Sequence, residues 1–353
     1  MKVLLLGATG AIGTPLSEIL ARQGHEVFVT SRSKNEKVDS GVRYIKGNAH
    51  DSEFILDVLS KHWDTIVDFM DYSTQEFICR YKFMLDSTNH YLFFSSARVY
   101  ADSKVPITES SPRLLDVSDD KEYLMTDEYA LHKAREENIL FQSGYRNFTI
   151  IRPYITYSET RLQLGVLEKE QWAYRLFHDR TVLFSDDIRN HVTTMTYAND
   201  VAFCISKLIN NPQSYGEAFH ITTNQNILWS DVLNVYKDTY ETVTGKPFKV
   251  YYLETALKLN GSLTQYQVKY DRYYDRVFDN SKIMSVVEDF SFTDVKESLK
   301  SCFTSLIRHP EFRSVSFPEE LKRNSYTGEH LSLGEIPGKK NKVKYLAKRI
   351  LRK

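Results

Sequence analysis

Cysteine is scarce in this sequence, and long apolar runs are missing. The 353 residues hold three cysteines, Cys79, Cys204 and Cys302, scattered and odd in number. That usage offers neither a disulfide framework nor a metal-ligand spacing, and a reduced, cytoplasmic chain is the expected setting. The apolar run at the N-terminus, VLLLG, is too short for a signal-peptide core or a membrane span. Net charge is also absent. Lys and Arg total 46, as do Asp and Glu, which argues against a nucleic-acid binder overall. The balance is uneven along the chain. Residues 339–353 carry eight Lys or Arg and no acid, so 38 cations face 46 acids in residues 1–338, a net charge of about −8. No internal repeat is visible.

What is present is alternation. KVLLLG, HEVFVTS, VRYIKG, DTIVDFM, HYLFFSS and FTIIRP read as strands. The first is uniformly apolar, as suits a parallel strand buried on both faces. Helical patterns fall between them, over 11–23, from a cap at Asp51 or Ser52, over 75–88 and over 122–143. Strand–helix alternation in this order predicts an α/β fold, a doubly wound parallel sheet of the Rossmann kind. The later half is less regular. It predicts helices over 164–178, 198–211 and SDVLNVYKDTYETVTG (Ser-capped, Gly-stopped), with a strand at EAFHITT. The expected division is a dinucleotide-binding domain over 1–155 and a mainly substrate-binding lobe over 156–310, with 196–212 returning to the first domain. A polar extension with a basic amphipathic tail fills 311–353.

GATGAIG sits between the first strand and the first helix. Gly7 permits a tight turn, Gly10 a close approach of backbone to a pyrophosphate, and Gly13 close helix–strand packing. Thr9, Ala11 and Ile12 complete the loop, whose amides face the phosphate charge at the helix N-terminus. The second strand ends in Ser31 and Arg32, where a carboxylate commonly holds the adenosine ribose. Ser31 removes repulsion of a 2′-phosphate, and Arg32 offers a permanent planar cation to it. NADP is therefore preferred over NAD, although Arg32 would also suit a solvated or adenine-stacking role. Asn48 and Ala49, after the third strand, are expected beside the adenine.

FFSSARVY places Ser96 at the C-terminal mouth of a strand, where open parallel sheets bind ligands. DEYALHKAREENIL puts Tyr129 and Lys133 one helical turn apart, on one face. A phenol with a pKa of about 10 is a poor base at neutrality, and a neighbouring ammonium favours its phenolate. Ser96 to orient an alcohol or carbonyl, Tyr129 to move its proton and Lys133 to assist form a coherent set for hydride-transfer chemistry.

Together GATGAIG, FFSSARVY, YALHK, IIRPYITY, TYANDVA and DNSKI give residues 1–305 a resemblance to the extended short-chain dehydrogenases/reductases of the NAD-dependent epimerase/dehydratase family. The resemblance implies Ser96, Tyr129 and Lys133 as the catalytic triad, a nucleotide-activated sugar as substrate and a helix-paired homodimer. Two departures stand out. Sugar 4,6-dehydratases share an Asp-Glu pair where this chain has Ala97-Arg98, so dehydration is disfavoured. An Arg that often grips a diphosphate before the DVA segment is replaced by Thr193, with Arg189 and His191 upstream. Arg161, Arg175, Arg272 and Arg276 are further diphosphate candidates. Asp68 and Asp71, at the end of the fourth strand, are expected to cap the following turn.

The function expected is an NAD(P)-dependent epimerase or reductase of a nucleotide sugar. The rival is a non-catalytic dinucleotide sensor or an RNA-associated scaffold on the same fold. In the tail, Val343, Leu346, Ala347, Ile350 and Leu351 fall at helical spacing among cations, a pattern for peripheral contact with an anionic membrane or an acidic protein.

Overall fold

The computed structural model describes residues 1–33, 41–259, 264–336 and 338–350. Seven parallel strands form the central sheet. They are β1 (Lys2–Leu6), β2 (Glu26–Ser31), β3 (Val42–Lys46), β4 (Trp63–Asp68), β5 (Thr88–Phe94), β6 (Phe148–Pro153) and β7 (Glu217–Ile221). Their spatial order is β7-β6-β5-β4-β1-β2-β3. The order reverses at β1, and a doubly wound sheet binds ligands outside the strand ends at such a reversal. The predicted fold class is thus the observed one.

The apolar content of the strands explains the layering. Val3 and Leu5 of β1 face one apolar layer with Leu16, Leu20, Val201 and Ile205. Leu4 and Leu6 face the opposite layer with Ile66, Tyr91, Phe93 and Leu140. Helix α1 (Gly13–Arg22) and α2 (Ser52–Leu59) follow β1 and β3, and Asp51 caps α2 by accepting from the Phe54 amide at 2.9 Å.

Two expected helices are broken. The 75–88 stretch forms α3 (Thr74–Ile78) and α4 (Tyr81–Asp86), and the break adjoins buried Arg80, which donates to the Ala49 carbonyl at 2.9 Å. The 122–143 stretch forms a turn at Lys121–Leu124 and then α5 (Tyr129–Gln142). Glu128 starts α5 in extended backbone, its carboxylate accepting from the Ala130 amide. Tyr129 is therefore the first residue of α5.

The lobe has its own core around Trp172, Trp229, Tyr236 and Phe303. The helix expected over 164–178 begins late. Gln163–Leu164 and Leu167–Glu168 pair as an antiparallel hairpin turned by Gly165 at φ +60°, and α6 spans only Lys169–Phe177. Helix α7 (Ala198–Leu208) returns to the sheet, packing Val201, Ala202 and Ile205 with Leu16 and Leu20. Helix α8 (Trp229–Thr244) ends at left-handed Gly245 as expected, but Leu228, not Ser230, occupies its N-cap. Helix α9 (Val295–Arg308) leads to the extension.

The extension is more ordered than its polar sequence suggests. It contains α10 (Phe317–Thr327) and α11 (Lys339–Ile350). Arg175, fully buried on α6, holds it through Glu320 at 2.9 Å, Asn324 at 2.7 Å and Glu329 at 2.9 Å. Tyr345 of α11 is buried against Leu331 and Ile336, while Val343 and Leu346 face solvent. Leu351 lies outside the described residues.

Candidate active site

The glycine loop meets the geometry its sequence predicts. Gly7 has φ +70°, and a Cβ there would stand 2.7 Å from Met70 Sδ. A Cβ on Gly13 would come within 2.5 Å of the Ala8 backbone, so the helix can start there only without a side chain. A Cβ on Gly10 would meet no protein atom within 4 Å; it would project into open space. That space belongs to a cleft of about 650 Å³ lined by Gly7, Gly10, Ala11, Ile12, Gly13 and Phe69 on one side. Thr160, Arg161 and the extension residues Arg313, Ser314 and Ser316 line the other.

A second cavity of about 200 Å³ adjoins Gly7. Thr9, Ser31, Arg32, Asn48, Ala49 and His50 line it. Arg32 is exposed at its rim, whereas Ser31 is buried and its hydroxyl lies 3.4 Å from the Ser33 amide. Asn48 Oδ1 accepts from the His50 amide at 3.2 Å. These residues fit a dinucleotide: a backbone cradle, space where a Cβ would otherwise stand, and a cation at the adenosine end.

A third cavity, about 290 Å³, brings Ser96 and Tyr129 together with Arg98, Arg161, Gln163 and Arg272. Ser96 Oγ accepts from the Arg98 amide at 3.2 Å, which leaves its O–H to donate elsewhere. Tyr129 is half-buried, and its hydroxyl makes no hydrogen bond among the described residues. The Arg98 guanidinium lies 5.2 Å from the Tyr129 ring centre, and its ion pair with Glu128 is 2.6 Å long. Burial disfavours charge on Arg98, but Glu128 and Asp271 outweigh it and hold the pKa above the ordinary arginine value.

Lys133 stands apart from these cavities, 2 % exposed. Its Nζ lies 3.1 Å from Glu136, 3.5 Å from Asp71 and 3.4 Å from the Met70 carbonyl. Burial opposes its charge, yet Glu136, Tyr129 and Asp71 keep its pKa raised. Burial also pushes Glu136 up to about 7, with Lys133 acting against the rise. Asp71 further accepts from His132 at 3.0 Å. Asp71 is thus an ion-pair partner rather than the expected cap. Asp68 does cap, accepting from the Met70 amide at 3.0 Å and the Tyr91 hydroxyl at 2.8 Å.

The diphosphate candidates divide. Arg175 clamps the extension; Arg272 and Arg276 are buried on one carboxylate, Asp271. Arg189 is exposed and paired with Asp186, and Arg161 alone both reaches the main cleft and lines the small cavity. Sequence reasoning read Arg98 only as a missing acid, and it passed over Gln163 and Glu136. Arg98 was detectable from its place two residues after Ser96; Gln163 and Glu136 gave no local signal.

Comparisons with known proteins bear on the fold and on the N-terminal segment. Residues 3–76 match the model of the NAD dependent epimerase/dehydratase family. The dTDP-glucose 4,6-dehydratase of Bacillus anthracis, in complex with NAD, superposes with a TM-score of 0.66 over 88% of this chain and 98% of its own, at 15% identity. The UDP-glucuronic acid 4-epimerase of Bacillus cereus, in complex with NAD and its substrate, gives 0.65 over 87% and 99%, at 13% identity. In sequence, the chloroplast stem-loop binding protein of 41 kDa b from Arabidopsis thaliana is 25% identical over 238 residues. That match spans 63% of this chain and 58% of the plant protein's length. Residues 3–76 are thus similar to the NAD dependent epimerase/dehydratase family, and the chain shares its fold with these two solved enzymes.

Proposed function

We propose that the protein is an NAD(P)-dependent epimerase or reductase of a nucleotide-activated sugar. The observation that carries this reading is one cavity lined by both Ser96 and Tyr129, with Lys133 one turn behind on α5. Gly7, Thr9, Gly10, Ala11, Ile12 and Gly13 would hold the pyrophosphate, and Ser31, Arg32, Asn48 and Ala49 the adenosine end. The bound dinucleotide supplies hydride exchange at the sugar carbon. Tyr129 takes or returns the hydroxyl proton. The Arg98 guanidinium flanks its ring, Lys133 stands one turn behind it, and the Ser96 hydroxyl donates to the reacting oxygen. Ser31 and Arg32 support NADP over NAD, because neither position carries a carboxylate to repel a 2′-phosphate.

Purified protein incubated with nucleotide sugars and each cofactor, followed by reduced-nicotinamide absorbance and product NMR, tests the reading. Tyr129→Phe is expected to lower turnover about 10²–10⁴-fold with little change in cofactor affinity. Full turnover in that variant refutes the assignment. A dinucleotide that survives dialysis identifies an epimerase, and one that exchanges freely a reductase.

Exposed Ile78, Phe83 and Phe141, on α3, α4 and α5, support a homodimer through this helical edge. Light scattering of Phe83→Glu against the parent checks it, with a shift to monomer expected. The exposed Val343 and Leu346 among lysines support peripheral contact of the tail with anionic lipid or an acidic protein in a cytoplasmic setting. Flotation with anionic liposomes, lost on deletion of 339–353, is the expected result. Among the described residues no helix is long and apolar enough to cross a membrane.

A second reading is an RNA-associated scaffold on the same fold, for which the plant relative's name, a stem-loop binding protein, speaks. Titration of a labelled RNA hairpin with and without NADP discriminates the two. Submicromolar binding that survives Tyr129→Phe would favour RNA.

A further inference from the structure

Arg98, Arg161 and Arg272 line the third cavity, of about 290 Å³, and Arg276, which does not line it, shares a carboxylate with Arg272; together the four carry more positive charge than their ion pairs neutralise. Arg98 pairs with Glu128 and Arg161 with Glu168. Arg272 and Arg276 must share Asp271. Among the described residues no other carboxylate forms an ion pair with these four arginines, so one guanidinium charge is left over.

Water does not screen that charge. Arg272, Asp271 and Arg276 are 2%, 1% and 0% exposed. The carbonyls of Tyr100, Ala101 and Tyr270 take hydrogen bonds from Arg276, and that of Gly165 takes one from Arg272. These oxygens satisfy donors but carry no net charge. A buried charge without its counter-ion is costly, and a ligand that supplies one recovers that cost on binding. Arg272 lines the cavity directly. So does Arg98, whose Nε is buried without a hydrogen-bond partner and whose guanidinium flanks Tyr129. An anion held here lies beside the reacting oxygen. The cavity, at about 290 Å³, is at the small end of ligand sites and suits a sugar ring rather than a whole nucleotide sugar.

We propose that the sugar moiety of the substrate is itself anionic, a carboxylate-bearing sugar of the uronic acid kind, with Arg98 selecting the carboxylate and Arg272 supplying the buried counter-charge. This rests on the nucleotide-sugar reading and names its substrate class. It also gives a use to the Ala97-Arg98 pair. A cation beside Ser96 disfavours dehydration and favours an acid substrate.

The test is calorimetric titration of the full chain, saturated with NADP, using UDP-glucuronic acid and UDP-glucose. The uronate is expected to bind about tenfold tighter or better. Arg98→Gln should bring the two affinities within about twofold, and Arg98→Lys should retain most of the preference. Equal affinities in the parent, or a preference that survives Arg98→Gln, overturns the proposal. If neither sugar binds, the nucleotide-sugar reading fails and inorganic phosphate decides the charge question. Exchanged for chloride at constant ionic strength, with NADP filling the glycine cleft, phosphate should raise the melting temperature of the parent but not of Arg98→Gln. A rise in the parent alone upholds the anion site. No rise, or an equal rise in both, overturns it.

Discussion

The sheet and the extension are held by opposite means. Strand β1 places Val3, Leu4, Leu5 and Leu6 at 0% exposure between two apolar layers. The extension is fixed by charge. Arg175, at 0% exposure, reaches Glu320 on α10 and Glu329 beyond it, and Arg180 pairs with Glu335 at 2.9 Å. Apolar burial is non-directional and tolerates substitutions that conserve volume. A buried ion pair contributes little beyond its desolvation cost, yet breaking it on one side is expensive. The sheet should therefore lose stability by degrees, and the extension by single events.

Arg175→Ala would sharpen that contrast most. It leaves buried Glu320 with Arg323 alone and takes from Glu329 its Arg175 partner, a loss of about 3–5 kcal/mol. The expected result by hydrogen exchange is loss of protection confined to residues beyond 310. Leu92→Ala in β5, at about 2–5 kcal/mol, should instead lower protection throughout the sheet. If Arg175→Ala spreads its effect evenly over β1–β7, the two regions form one cooperative unit and the contrast fails. Because Arg313, Ser314 and Ser316 wall the main cleft, the same variant should also weaken dinucleotide binding.

This division also explains what could be read from the sequence. The strands were legible because burial on both faces writes a continuous apolar run, and the glycine loop because sterics allow few alternatives. The Tyr129–Lys133 spacing was legible as one helical turn. The clamp was not, since Arg175 and Glu320 lie 145 residues apart and an arginine's partner leaves no local mark. For the same reason Arg175 reads as a ligand candidate although the protein uses its charge internally. The Gln163–Glu168 hairpin was missed because Leu164, Leu167 and Trp172 fit a helical period as well as two short strands. Asp71 read as a cap because its partners, His132 and Lys133, come from α5, whose approach depends on tertiary packing.

The dinucleotide site offers a smaller effect. Arg32 is exposed, and among the described residues no buried group pairs with it. Arg32→Ala should leave stability within about 0.5 kcal/mol. NADP affinity should fall about tenfold by equilibrium titration while NAD affinity hardly moves. Equal losses for both cofactors would assign Arg32 to the adenine face and remove the basis for preferring NADP.

A pH-dependent effect lies where the two kinds of stabilisation meet, behind the active site. Glu136 is fully buried yet paired with Lys133. Its folded pKa of about 7 stands above the unfolded value near 4.5. Between those values the folded state binds the extra proton, so stability falls as pH rises through the window. His132 acts in the same direction. Burial opposes its charge, but Asp71 raises its pKa above 6.5, so its contribution is complete below that value and disappears as pH rises through the folded pKa. Denaturant titrations from pH 5 to 8 should therefore show declining stability, with each group contributing at most about 1.4 kcal/mol per pH unit. Glu136→Gln should flatten that decline. An unchanged slope would mean that Glu136 stays ionised throughout, held by Lys133, and that the charge behind Tyr129 is constant across the working range.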